Sequence, residues 1–386
     1  MKKFWAILIA VAFIAMAAMP VMAASTEERI AAVEKQLAAT WKFYGSVRMA
    51  TFYNDFKAKD NNVNDGGSAI DDKGTKWAMQ SNSRIGAKVT LGDISGAFEY
   101  GHSSSNGNND PVTRLLYGSW NFGPGQILIG KDYTPLYWTI NNKVYGDDNN
   151  MFGLGQFYGG REAQIKLIYG AFQLALIDPT RGATALNAYT GTDVYLPRIE
   201  ASYDLNFGPV TGRVIGGYKT YKVVYNEDLP GEDEESVDSY ILALALKYAA
   251  GPFYAGLTGF YAQNIGAYAG TSMSIKLTNN YVANWGLLPT GMLGYPAGDE
   301  DCKTWGFAVA LGYKFSDMIT FEAGYGYQQD KWDDLKVKAT NLYLQMPITV
   351  AKNFWIVPEI GMENFKFDDF KVGKTTYIGA KWQINF

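Results

Sequence analysis

The carboxyl-terminal stretch constrains this chain most, because apolar and polar residues alternate there up to the last position. Counting back from Phe386, the apolar residues Ile384, Trp382, Ala380 and Ile378 are each separated by one polar or small residue. A period of two predicts a β-strand with one apolar and one polar face. In a soluble protein the terminal residues usually fray. In a transmembrane barrel the same strand closes the cylinder and turns its apolar face to lipid.

The same alternation recurs from residue 41 onward, where we predict sixteen strands and an all-β fold. One example is the stretch 303–315, in which apolar residues occupy every second position: Trp305, Phe307, Val309, Leu311, Tyr313 and Phe315. Short turns and long polar loops alternate between the strands, as they do when the two ends of a barrel face different compartments. Sixteen strands would be unusual in one soluble domain. We therefore predict an antiparallel transmembrane β-barrel over residues 41–386, with both termini on the short-turn side.

The amino terminus has the three-part form of a secretory signal peptide. Lys2 and Lys3 precede an apolar run from Phe4 to Ala18, and small residues follow up to Ala23. This pattern predicts cleavage after Ala23, so that residues 1–23 are removed on export. A retained anchor is the alternative, but the run is short and ends in small residues. No later apolar run approaches the ~20 residues that a membrane helix needs.

Residues 24–40 are predicted to form a short periplasmic helix. Ser25 and Glu28 have the spacing of a capping box, and Ile30, Val33 and Leu37 share one face at heptad spacing. Two heptads are too short to be stable alone. The segment therefore either packs against a barrel end or forms a short bundle with other copies.

Residues typical of catalytic and metal sites are scarce. Cys302 is the single cysteine, which excludes an internal disulfide and a site built on two cysteines. His102 is the single histidine, and the serines beside it lie in the same loop, which does not give the geometry of a catalytic triad. The acidic run 227–235 lacks calcium-loop spacing. We predict no enzyme activity, no cofactor, no metal site and no nucleic-acid partner.

The signal segment, the alternating hairpins and the terminal Phe386 resemble a Gram-negative outer-membrane porin of the sixteen-stranded, trimeric type. The resemblance covers residues 41–386 and is one of architecture. It implies a homotrimer in the outer membrane, in contact with lipid and lipopolysaccharide, that passes ions and small hydrophilic solutes through a water-filled channel by passive diffusion. It also implies that the barrel-assembly machinery recognises an assembly signal in the last strand: Ile378, Trp382, Ile384 and Phe386.

In porins the loop after the fifth strand folds inward and narrows the channel. The resemblance assigns this role to residues 132–160, which carry the charged residues Asp132, Lys143, Asp147 and Asp148. The loop is also rich in aromatic residues, which suggests that it packs against the inner wall. Its stretch 151–158 departs from the Pro-Glu-Phe-Gly-Gly motif of enteric porins.

Strand parity predicts charges of both signs in the lumen of a barrel too wide for side chains to fill. The predicted basic residues are Arg48, Arg84, Lys88, Lys166, Arg198, Arg213 and Lys219, to which we add Arg114 and Lys131 from early strands beside the constriction. The predicted acidic residues are Glu99, Glu162, Glu200, Asp204, Glu322, Glu359 and Glu363. Because both signs are present, the sequence predicts no ion preference.

Two other functions compete with a general diffusion channel. The first is a substrate-specific channel in which the aromatic loop binds a sugar or an organic acid. The second is a non-conducting barrel with a structural or sheath role. A secreted soluble β-protein is the weakest alternative, because it leaves Phe386 and the unequal hairpin ends unexplained.

Overall fold

The computed structural model describes residue 25 and residues 39–58, 72–102, 111–148, 150–181, 190–225, 234–269, 301–333, 335–368 and 370–386. The predicted signal peptide 1–23 lies outside the described residues. So does the predicted helix 24–40, apart from Ser25, Ala39 and Thr40, and Thr40 already belongs to the first strand. The acidic run 227–233 is also outside them.

Nineteen strand segments form one antiparallel sheet. Their bounds in chain order, β1 to β19, are Thr40–Ala58, Asp72–Met79, Arg84–Leu91, Ile94–His102, Pro111–Asn121, Gly125–Tyr133, Arg161–Tyr169, Phe172–Ile177, Thr190–Asp193, Arg198–Phe207, Val210–Tyr225, Glu234–Ala250, Phe253–Gln263, Lys303–Lys314, Thr320–Lys331, Lys336–Gln345, Ile348–Ala351, Phe354–Phe367 and Phe370–Asn385. Successive barrel strands pair antiparallel around the sheet, and the first segment, β1, pairs with the last, β19. The sheet is therefore closed into a barrel.

Three of the sixteen barrel strands are interrupted, which accounts for the nineteen segments. β2 and β3 both pair with β1, β9 and β10 both pair with β11, and β16 and β17 both pair with β18. Pro197 and Pro347 lie in the second and third interruptions, where a residue without an N–H breaks the ladder. The prediction of sixteen strands is confirmed.

The two faces of the wall differ as the alternation predicts. In β19, Ile378, Trp382 and Ile384 are exposed on the outer face, whereas Lys381 between them is buried on the inner face. The wall thus turns apolar side chains outward, as a lipid-facing barrel requires. In the described part of the chain, no helix is long and apolar enough to cross a membrane. The two helices described are the short segments α1, Tyr145–Asp148, and α2, Ile265–Ala269.

Phe386 completes the seam between the first and last strands. Gly45 N–H donates to the Phe386 carbonyl at 2.7 Å, and Phe386 N–H donates to the Gly45 carbonyl at 3.1 Å. The Phe386 ring covers Gly45 so closely that a Cβ at that position would lie 2.4 Å from ring atoms. The terminal residue therefore belongs to the closed ladder.

Candidate functional site

The segment between β6 and β7, residues 134–160, lies inside the barrel against its inner face; we call it the inner loop. Its buried apolar side chains pack with inward-facing residues of β11 to β14, β16 and β18 in one hydrophobic cluster. The buried residues from the loop are Leu136, Ile140, Met151, Leu154 and Phe157. Their burial explains why a loop of this length is apolar and aromatic.

Three glutamates of the wall bind the backbone of the inner loop. Glu200 accepts from Leu136 N–H at 2.8 Å, and Glu322 accepts from Asn142 N–H at 2.8 Å. Glu359 accepts from Val144 N–H at 2.7 Å and from the next N–H at 3.1 Å. An irregular segment inside a barrel needs acceptors for its N–H groups, and hydrogen bonds to a carboxylate are among the strong ones. We call these three residues the glutamate clamp.

Two glycines let the loop approach the wall. The backbone of Gly155 has φ of +102°, and a Cβ there would lie 2.0 Å from the Phe307 carbonyl oxygen. On the wall, a Cβ at Gly326 would lie 1.9 Å from the Leu154 carbonyl oxygen. A side chain at either position would separate the two surfaces.

Ion pairs and hydrogen bonds hold the tip of the inner loop near the seam between β1 and β19. Asp148 pairs with Arg48 of β1 and, at 3.2 Å, with Lys381 of β19. Asp147 accepts hydrogen bonds from both the backbone N–H and the hydroxyl of Ser81, which lies between β2 and β3. The loop therefore reaches from β6 and β7 across to the seam of the barrel.

A second predicted loop charge is also paired. Lys143 Nζ lies 2.9 Å from Glu363 Oε1 of β18, and both side chains are buried. Burial raises the pKa of the neighbouring Tyr145 hydroxyl, and the charges of Glu363 and Glu359 raise it further. This part of the loop serves to attach it to the wall.

Arginines face the inner loop from the early strands. Arg84 of β3 and Arg114 of β5 share one carboxylate, Glu99, at 3.2 Å and 2.6 Å. Tyr44 donates to the same carboxylate at 2.9 Å. Arg114 is buried, and its Nη2 has no hydrogen-bond partner among the described residues.

An aromatic group lies beside these arginines: Tyr133, Tyr137, Phe152 and Tyr158. Tyr133 stacks on Tyr137 with ring centroids 4.2 Å apart, and Phe152 stacks on Tyr158 at 4.6 Å. The Arg161 guanidinium lies 5.3 Å from the Tyr133 ring and donates to its hydroxyl at 3.2 Å. Burial raises the pKa of Tyr137 and Tyr158, so both hydroxyls stay neutral at physiological pH.

Two of the predicted lumen arginines are engaged with the inner loop and with wall carboxylates. Arg198 is fully buried, lies 3.3 Å from Glu200, and donates to the Gly159 carbonyl at 3.1 Å. Arg213 pairs with Asp204 at 2.5 Å and donates to the Tyr137 carbonyl at 3.3 Å. Both therefore help to fix the loop.

The remaining predicted residues differ in position. Lys166 pairs with Asp132 at 2.6 Å. Lys88 shares the inner face with Arg84, is exposed, and forms no ion pair with any described residue. Lys131 is a correction: it pairs across the sheet with Leu116, which is 55% exposed on the outer face. Since cross-strand partners share a face, the prediction that Lys131 lines the lumen is wrong.

Sequence analysis missed two cations near the aromatic group. Parity groups Arg161 with Ala163 and Ile165 on the outer face, yet Arg161 interacts electrostatically with Glu99 and Tyr158 inside the barrel. Arg181, which follows β8, pairs with Glu162. Arg161 directly follows Gly160, whose φ is +91°, and this glycine was the one available signal of a change in chain direction.

Comparison with known proteins gives a family. The Gram-negative porin family profile matches residues 8–346. No curated protein matches the chain. Among solved structures, the outer membrane channel DcaP of Acinetobacter baumannii is 15% identical with a TM-score of 0.66, over 91% of this chain and 98% of DcaP.

Two further structures share the barrel. The anion-selective porin from Comamonas acidovorans is 12% identical with a TM-score of 0.58, over 90% of this chain and 100% of that porin. The trimer form of OmpT from Vibrio cholerae is 17% identical with a TM-score of 0.56, over 90% and 99% of the two chains. With a family profile over most of its length and a closed sixteen-stranded barrel, the chain belongs to the Gram-negative porin family and is an outer-membrane channel for the passive diffusion of solutes.

Proposed function

We propose that the inner loop is the constriction of this channel and that solutes pass between it and the wall carrying the arginines. The observation that carries the proposal is the way the loop is fixed. Its arms are bound by Glu200, Glu322 and Glu359, and its tip is paired with Arg48 and Lys381. A segment fixed at both sides of a water-filled barrel divides its cross-section.

We further propose a preference for anions. Arg84, Arg114, Arg161 and Arg181, which we call the arginine group, have two carboxylate partners between them, Glu99 and Glu162. The loop side of the passage is aromatic, and at its tip the charge of Asp148 is neutralised by Arg48 and Lys381, while Asp147 is hydrogen-bonded to Ser81. A surplus of fixed positive charge in a low-dielectric channel attracts permeating anions.

A planar bilayer measurement tests both proposals. The purified protein is expected to conduct, and a KCl gradient across the bilayer should give a reversal potential of the sign of chloride selectivity. Symmetric permeability to K⁺ and Cl⁻ would contradict the anion preference alone. Absence of conductance would contradict the constricted channel and favour the sheath barrel.

Assembly is a separate proposal. We propose that residues 1–23 are removed on export, that the last strand directs the chain to the barrel-assembly machinery, and that the barrel forms a homotrimer surrounded by lipid and lipopolysaccharide. The trimer form of OmpT, a structure with the same barrel, supports the oligomer. An unheated gel sample should migrate as a trimer and a heated one as a monomer. A monomer in both lanes and in native mass spectrometry would contradict it.

The known relatives of this chain are channels. We propose that this chain likewise carries no catalytic site. The chain has one histidine, His102, and therefore little capacity for a nucleophile activated by a histidine, which supports this proposal. Detergent extracts of the purified barrel should therefore release no product from ester, peptide or glycoside test substrates.

A further inference from the structure

The aromatic group and the arginine group meet at one place in the barrel. Tyr158 of the inner loop interacts electrostatically with Arg114, Arg161 and Arg181, which come from three different parts of the wall. Tyr158 also stacks on Phe152, and the Tyr137 ring lies edge-on to it at 5.9 Å. A face of neutral rings thus borders a set of guanidiniums.

Two of the guanidiniums, Arg161 and Arg114, keep donors that the described protein groups leave unused. Arg161 forms no ion pair with any carboxylate in the described ranges, and its polar contact there is the Tyr133 hydroxyl. Arg114 shares Glu99 with Arg84 and keeps Nη2 without an acceptor, although its side chain is only 2% exposed. Because Arg114 Nη2 is buried, Arg114 acts on an anion through its charge, whereas Arg161 is only partly buried and can donate to an anionic ligand.

We propose that this place is a binding site for aromatic carboxylates. The ring of the ligand stacks on the Phe152 and Tyr158 side of the aromatic group, and its carboxylate accepts hydrogen bonds from Arg161 within the field of the buried Arg114. Guanidinium and carboxylate match as a planar, charge-assisted pair, and aromatic rings attract one another beyond the area that they bury. This inference rests on the proposed function, because it gives the constriction a preferred class of solute.

The same residues disfavour two other ligand classes. A sugar needs hydrogen-bond acceptors for its hydroxyls, but Glu99 is already shared by two arginines and a tyrosine. A small inorganic anion would contact the guanidiniums and leave the rings beside them uncovered. An aromatic carboxylate uses both surfaces.

Bilayer recordings with benzoate test the site. The reconstituted channel is held at a KCl concentration of about 0.1 M, where the Debye length is about 10 Å. Benzoate is expected to reduce the chloride current with saturation. Cyclohexanecarboxylate has the same charge and similar size but no aromatic ring, so its half-blocking concentration should be about five-fold higher.

Two variants separate the two halves of the site. Arg161→Gln removes the charge and should raise the half-blocking concentration of benzoate about ten-fold. Phe152→Leu keeps every charge and should raise it about five-fold while leaving cyclohexanecarboxylate unchanged. Lys88→Gln is the matched control, because it removes one lumen charge on the same inner face and should leave benzoate block within about two-fold.

Heat-modifiable migration on gels shows whether each variant is folded. If one of the two variants does not fold, the other still tests the proposed site. Benzoate that blocks no better than cyclohexanecarboxylate, or equally in Arg161→Gln and wild type, would overturn the aromatic-carboxylate site while the open channel stands. Loss of benzoate block in Lys88→Gln to the same extent as in Arg161→Gln would reduce the effect to general lumen charge and also overturn it. A wild-type barrel without any conductance would contradict the proposed constriction as well.

Discussion

At the scale of single residues, the contact between the inner loop and the wall depends on the absence of side chains. Gly155 and Gly326 are positions where a Cβ would lie within 2.0 Å of a backbone oxygen of the facing surface. Such atoms cannot move aside as the end of a flexible side chain can. The distance between the inner loop and the wall is therefore set by backbone contacts. Adding a single Cβ atom at either glycine would disturb it.

Gly155→Ala should loosen the inner loop. The Cβ would collide with the Phe307 carbonyl, and the φ of +102° is unfavourable for any residue with a side chain. We expect lower heat stability of the folded band and larger, noisier single-channel currents. Gly170→Ala is the control, since Gly170 also has positive φ but open space around its Cβ position. It should cost only about 1–2 kcal/mol, and equal effects of the two variants would contradict the close contact.

Lys131 and Arg84 test which cations the permeating ion meets. Lys131 pairs with the outward Leu116, whereas Arg84 pairs with the buried Glu99 on the inner face. Arg84→Gln should lower the Cl⁻/K⁺ permeability ratio, and Lys131→Gln should leave it unchanged. The measurement is the reversal potential in a KCl gradient. A shift with Lys131→Gln as large as that with Arg84→Gln would place Lys131 in the lumen after all.

At the scale of elements, the inner loop is held by carboxylates that already have several donors. Glu322 accepts from Asn142 N–H and from the side chains of Tyr254, Tyr343 and Gln345, at 2.7–2.8 Å. No cation of the described chain forms an ion pair with Glu322. Its negative charge is stabilised by these four hydrogen bonds and, at longer range, by Lys247, and the position of the loop depends on that charge being present.

Glu322→Gln should make the inner loop fluctuate. The amide brings its own donors to a place surrounded by donors, and each charge-assisted hydrogen bond lost costs roughly 1.5–3 kcal/mol. We expect transient closures to become about ten-fold more frequent in single-channel records. Asp317→Asn makes the same chemical change at an exposed turn and should not alter the record. Unchanged gating in Glu322→Gln would show that the apolar packing suffices to hold the loop.

At the scale of the whole molecule, the barrel is closed because its last strand pairs with its first strand. The ladder between β1 and β19 ends with the paired backbones of Gly45 and Phe386, and the Phe386 ring covers the glycine. Without this closure both strands would present open edges, which cannot remain unpaired in lipid. The terminal residue thus contributes to assembly through structure as well as through any recognition signal.

Deletion of Phe386 should therefore reduce the heat-modifiable barrel in outer membranes to a small fraction of the wild-type level. Phe207→Ala is the control, because Phe207 is as exposed on the outer face, at 67% against 68%, but lies at an ordinary hairpin. Both are measured by gel migration of membrane fractions before and after heating. Normal barrel levels after deletion of Phe386 would contradict its place in closure.

The alternation of apolar and polar residues predicted which residues of the barrel wall face inward, because this pattern can be read from neighbouring positions in the sequence. Glu200, Glu322 and Glu359 were assigned to the lumen in this way, but their partners on the inner loop are 64, 180 and 215 residues away in sequence, so the clamp itself was not predictable. Parity failed at Arg161, which follows Gly160 at a bend with φ of +91°. Lys131 was added to the lumen set for its place beside the constriction, and there the strand pairing decided against it.

The glutamate clamp has a consequence for how such a channel can change. Residues of β10, β15 and β18 are committed to anchoring, so replacing them endangers the folded protein before it alters transport. Among the early strands, Arg48 also holds the loop tip, but Arg84 pairs with Glu99 of the wall, so Arg84 can be replaced with less risk to the position of the loop. We therefore expect ion selectivity to change through substitutions in the early strands, whereas the anchoring residues of β10, β15 and β18 stay constant.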